Sequence, residues 1–139
     1  MGVDKRTRAR ELALQALYQL DVQGPELLEQ LPDFFVEWEQ NDSIRKLAWD
    51  WTKGTWDNLA ECDQLIAACT IRWQFSRLSP VDKGILRLAV YQLRYSQELG
   101  IPPKVVMNEA IELAKKFSTD KSGPFVNGVL DAVAKKLKT

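Results

Sequence analysis

Leu78-Ser79-Pro80-Val81-Asp82-Lys83-Gly84-Ile85-Leu86-Arg87-Leu88-Ala89 decides how this chain is read. Ser79 has the chemistry of a helix N-cap, Pro80 suits the first helical position, and Asp82 stands where a capping box puts its returning acid. Ile85, Leu86, Ala89, Val90 and Leu93 then recur at helical spacing. The same punctuation repeats downstream. Gly100 closes that helix, Pro102-Pro103 opens the next, and Val106, Ala110, Leu113, Ala114 and Phe117 form its apolar stripe. A polar loop from Ser118 to Gly123 leads through Pro124 into a last helix that buries Phe125, Val126, Val129, Leu130 and Val133.

Upstream the period stays helical. Ala9, Leu12, Ala13, Ala16, Leu17 and Leu20 mark a first helix from about Asp4 to Asp21, broken by Gly24-Pro25. A second segment carries Leu27, Leu28, Leu31, Phe34, Phe35 and Trp38, with Pro32 dividing it. Ser43 is the expected N-cap of one long helical region running to Cys69, bent at Gly54. Trp49, Trp56 and Trp73 are expected to fill space between helices. No segment alternates as a strand would. The expected fold is all-α, six or seven helices in two packed bundle-like halves, about 1–76 and 77–139, within one domain.

Bulk properties narrow the function. The 139 residues are 45% hydrophobic and 27% charged, an ordinary globular balance, and no apolar run approaches the ~20 residues of a membrane span. The basic N-terminus is not followed by an apolar signal core, so a cytoplasmic location is expected. Cys62 and Cys69 read as buried thiols. Without a single histidine, Ser-His and Cys-His nucleophile pairs and His-ligated metals are excluded. There is no second cysteine pair for zinc and no Gly-rich phosphate loop. Glu109 with Glu112, and Asp50 with Asp57, read as solvated helix charges. Neither enzyme, nor metal, nor cofactor is expected.

Net charge is zero, from 19 basic and 19 acidic residues, but the distribution is uneven. Lys5, Arg6, Arg8 and Arg10 crowd the first ten residues, a local patch able to direct a polyanion to one place. Guanidinium groups bind phosphate bidentately, and Tyr18, outside the apolar stripe, offers a ring on which an unpaired base can stack. Three arginines on three phosphates predict a slope of about −2 in log affinity against log salt. Asp82, Arg87 and Phe125 form a second group whose ordinary readings are a helix cap, an exposed cation and a core ring.

Taken together these residues resemble the bacterial transcription antitermination factor NusB family. The resemblance rests on Arg8-Ala9-Arg10-Glu11-Leu12-Ala13 with Gln15-Ala16-Leu17-Tyr18, on Leu78-Ser79-Pro80-Val81-Asp82 with Ile85-Leu86-Arg87-Leu88-Ala89, and on Pro103-Lys104-Val105, Asn108-Glu109-Ala110-Ile111-Glu112-Leu113-Ala114-Lys115 and Phe125-Val126-Asn127-Gly128-Val129-Leu130-Asp131. It spans nearly the whole chain and is least clear from Val22 to Ser43. It implies a non-catalytic platform that binds boxA RNA of ribosomal RNA leaders together with NusE, a small-subunit ribosomal protein. That complex joins elongating RNA polymerase and other Nus factors against premature termination. The resemblance also implies RNA contacts at Arg6, Arg8, Arg10 and Tyr18, with Asp82, Arg87 and Phe125 on a shared RNA and NusE surface. Thr7, Lys121 and Pro124 depart from the family pattern. Two other readings stand beside this one. NusB-like domains also precede ribosomal RNA methyltransferase domains, although no cofactor domain follows here. A homodimerising interaction module would cover the nominated arginines.

Overall fold

The computed structural model describes residues 4–70 and 75–138; Trp73, expected to pack between helices, lies outside them. Eight helices account for most of the described residues. They are α1 (Lys5–Gln23), α2 (Leu31–Trp38), α3 (Asp42–Asp57), α4 (Leu59–Ala68), α5 (Pro80–Arg94), the single turn α6 (Ser96–Leu99), α7 (Pro103–Phe117) and α8 (Ser122–Leu137). Short 3₁₀ turns at Pro25–Gln30 and Phe75–Arg77 complete the described path, which contains no strand. No helix among the described residues is long and apolar enough to cross a membrane.

Local chemistry sets the helix ends. The Asp4 carboxylate accepts from the N–H of Arg6 at 2.8 Å and starts α1, and Gly24 closes it by donating to the Leu20 carbonyl. Pro32 lies in the first turn of α2, where its missing N–H costs nothing. The cap of α3 is Asn41 rather than Ser43: its side-chain oxygen accepts from the N–H groups of Ser43 and Ile44 at 2.9 and 3.1 Å. The long region also breaks four residues later than expected. Asn58 donates from Nδ2 to the Gly54 carbonyl at 2.8 Å, beside its own backbone N–H at 3.2 Å, and is pinned by the Tyr95 hydroxyl at 3.0 Å, so its side chain competes for that carbonyl at the joint between α3 and α4.

Ser79 caps α5 as expected, its Oγ accepting from the N–H of Asp82 at 3.1 Å. Only that half of the capping box forms. The Asp82 carboxylate accepts instead from Ser118 and Ser122 at 2.8 and 3.2 Å, tying the start of α5 to the α7–α8 loop. Gly100, at φ 68°, takes the left-handed conformation that closes α6.

The core is one cluster in which α5 is central. It packs against α1, α4, α7 and α8, and its middle is buried almost all round, from Gly84 to Val90. Helix α1 lies between α3 and α5, which explains why Leu14 and Arg10 join its predicted stripe in the interior. Phe117 is the exception to the α7 stripe: at the last turn it projects into solvent.

Candidate nucleic-acid interface

The four basic residues at the start of α1 fall into three environments. Lys5 and Arg6 are exposed, and neither side chain carries an ion pair among the described residues. Arg8, one turn on and half-buried, donates from Nε to Glu39 at 2.9 Å, from Nη2 to the Trp38 carbonyl at 3.0 Å, and from Nη1 to Glu11 at 3.3 Å. The bond from Arg8 is the main reason the Glu39 carboxyl titrates below its ordinary range, and the N–H of Asn41 adds to it.

Arg10 corrects an expectation. It is 2% exposed, too deep to meet a phosphate, because helical spacing turns it toward α5 and α7 rather than outward. Its Nη1 donates to Glu109 at 3.1 Å, its Nε to Gln92 at 3.2 Å, and its guanidinium stacks over Trp51 at 5.0 Å. Burial lowers its pKa, with Glu109 opposing that shift. Glu109, expected to be a solvated charge, also accepts from the Thr7 hydroxyl at 2.5 Å and so clasps α1 to α7 twice. Thr7, the interruption in the basic run, has become part of that clasp.

Tyr18 is 39% exposed, as its position outside the stripe predicts. It faces a groove of about 310 Å³ whose walls include Arg8, Leu14, Gln15, Val81 and Phe117. Phe117 is 44% exposed, and Lys116 sits over its ring at 5.3 Å. Beneath the rim, the Glu11 carboxylate is shared between Arg8 and Lys116, the latter at 2.7 Å.

Asp82 and Phe125 meet in a second pocket of about 280 Å³, with Arg77, Thr119, Lys121 and Ser122 around them. The two depressions adjoin, since Val81 and Asp82 start α5 while Phe117 and Thr119 flank the end of α7. Arg87 belongs to neither, which corrects its placement among exposed contacts. It is 6% exposed, grips both Asp63 oxygens at 2.9 and 3.0 Å and Asp21 at 3.0 Å, and stacks on Phe75. Burial works against its charge, but Asp63 and Asp21 outweigh it and its pKa is raised.

The structure thus brings Arg8 to Tyr18 and Asp82 to Phe125, leaves Arg6 free at the tip, and sets Arg10 and Arg87 inside. Sequence reasoning missed Phe117, Lys116, Glu11 and Glu39. The polar loop after Phe117 was a signal that its helix was ending and its side chain unshielded. Nothing local linked Glu39 to Arg8, 31 residues away.

A family model for the NusB family matches residues 7–135. The transcription antitermination protein NusB of Syntrophus aciditrophicus (strain SB) is 41% identical over 133 residues, covering 96% of this chain and 81% of that protein. The chain belongs to the NusB family. NusB from T. maritima superimposes with a TM-score of 0.84 at 35% identity, over 98% of this chain and 94% of its own. A chain from the crystal structure of antitermination factors NusB and NusE in complex with dsRNA matches with a TM-score of 0.80 at 28% identity, over 95% and 97% of the two. The NusB fold is all-helical in these relatives as it is here, and the family is one of non-catalytic transcription factors.

Proposed function

We propose that the protein is a transcription antitermination factor. It binds boxA-type RNA of ribosomal RNA operons together with NusE and, with RNA polymerase and other Nus factors, resists premature termination as a non-catalytic platform in the cytoplasm. The observation that carries this reading is that α1 of a NusB-family fold bears unneutralised cations at its tip and, further along, one wall of a groove with half-exposed rings. Lys5 and Arg6 stand free at the tip of α1, and Tyr18 and Phe117 line the groove that Arg8 borders. Phosphates meet the cations while unpaired bases stack on the rings, a division of labour suited to single-stranded RNA.

Arg6 and Tyr18 are the direct RNA contacts in this reading, Arg8 stands beside them at the rim of the groove, and Asp82 with Phe125 extends the surface toward NusE. Arg10 and Arg87 serve as positioning residues, the first holding α1 against α7 and the second joining α1, α4 and α5. The two helical halves, about 1–76 and 77–139, work as one unit because α1 of the first lies against α5 of the second. With so few free cations the protein alone binds RNA weakly, and NusE tightens the complex by holding neighbouring nucleotides at high effective concentration.

The test is fluorescence anisotropy of labelled boxA RNA against a scrambled RNA, with and without NusE. Selective binding that tightens with NusE is expected, and Arg6→Ala or Tyr18→Ala weakens it without lowering the melting temperature. Equal, weak binding to both RNAs, unaffected by NusE, would instead favour a homodimerising interaction module.

A further inference from the structure

Arg8 stands at the rim of the aromatic groove, yet each of its three guanidinium nitrogens already has an acceptor. Nε and Nη2 form the side of the guanidinium that grips an oxyanion with two parallel bonds; Arg87 uses that side on Asp63. On Arg8 the same side is occupied by the Glu39 carboxylate and the Trp38 carbonyl, while Nη1 goes to Glu11. Charge alternates along the row Glu39–Arg8–Glu11–Lys116, two carboxylates against two cations, and sums to zero.

The two carboxylates differ in setting. Glu11 belongs to α1 itself, is 11% exposed, and shares its charge between two cations. Glu39 lies in the short connection between α2 and α3. One of its oxygens meets Arg8, and the other accepts from the N–H of Asn41 at 3.1 Å, so the turn holds the carboxylate where it is.

We propose that Glu39 is an intramolecular stand-in for phosphate that masks Arg8, so that Arg8 joins an RNA contact only by exchanging the Glu39 carboxylate for a phosphate. This rests on the RNA-binding reading above and adds to it a residue that sets how tightly RNA is held. Glu39 keeps the bare protein from grasping any polyanion with Arg8. The free cations at the α1 tip are then Lys5 and Arg6 alone.

Glu39→Gln tests this, since the amide oxygen can still accept from the N–H of Asn41 while the charge and the second acceptor, the one facing Arg8, are lost. In salt-titrated anisotropy with boxA and scrambled RNA, two free cations give a log–log slope of about −1.4 for the natural sequence, and unmasking Arg8 steepens it to about −2.1. Affinity of the variant for both RNAs rises about two- to fivefold at low salt. Arg8→Ala alone costs less than about twofold. In the Glu39→Gln background Arg8→Ala abolishes the whole gain, which a change in the turn alone would not produce.

An affinity and slope unchanged or lowered in Glu39→Gln, or a gain that survives Arg8→Ala, overturns the masking. Selective boxA binding without a Glu39→Gln gain leaves the antitermination reading standing and the masking refuted. A gain through Arg8 on scrambled RNA without boxA selectivity does the reverse. Absence of binding by both proteins to both RNAs refutes the two together.

Discussion

Two buried groups carry the clearest residue-level consequences. Arg87 neutralises Asp21 and Asp63, which are only 21% and 28% exposed, so removing it strands two carboxylates at the junction of α1, α4 and α5. Arg87→Met should destabilise the protein by about 3 kcal/mol in urea unfolding, the lower end of the range for a broken buried pair because both acids keep some solvent. Cys62 is fully buried, and burial pushes its thiol from 9.0 up to about 12. Its folded pKa is raised, so its contribution is fully present below about pH 9 and is lost as pH rises toward 12. Stability should therefore fall on that alkaline limb, and less steeply in Cys62→Ala. Iodoacetamide at pH 8 should label half-exposed Cys69 and spare Cys62 until the protein unfolds. The burial of both arginines was hidden in the sequence for one reason. A cation at helical spacing is legible as a charge, but the groups that draw it inward, Glu109, Gln92 and Trp51 for Arg10, come from three other helices.

Between elements, the most demanding approach is that of α3 to α5. A Cβ on Gly54 would lie 2.2 Å from the Tyr91 hydroxyl and 2.4 Å from the adjoining ring carbon. Gly54→Ala should therefore destabilise by about 1–2 kcal/mol, overpacking outweighing the ~1 kcal/mol that alanine gains in a helix. Tyr91→Leu in the Gly54→Ala background should recover part of that loss in thermal melts. Gly54 looked in sequence like the place where the helix bends; it is instead where a neighbour comes close, and the break falls at Asn58. Ser79, Gly100 and the apolar stripes were legible because caps and periodicity act within one or two turns. The second task of Asp82 was not, since Ser118 and Ser122 reach it from 36 and 40 residues away.

At the scale of the whole molecule, α1 is shared property. It lies against α3 on one side and α5 on another, and neither half of the chain can cover it alone. A fragment of residues 1–76 should therefore show no cooperative thermal transition by circular dichroism, whereas the intact chain melts as one unit. The all-α class and the basic tip were both open to sequence reasoning, because composition and period report them directly. The masking of Arg8 was not, since it depends on how a poorly patterned segment, Val22 to Ser43, folds back onto α1. The shared position of α1 also reaches into the order of synthesis. The segment bearing the arginines is the first described helix to leave the ribosome, but α5, which must cover its apolar side, emerges dozens of residues later. A nascent chain thus carries its basic tip exposed yet unseated, and the rings and cations face one another only after translation has passed Phe117. The helix that carries the proposed RNA contacts is made well before the elements that set it in place.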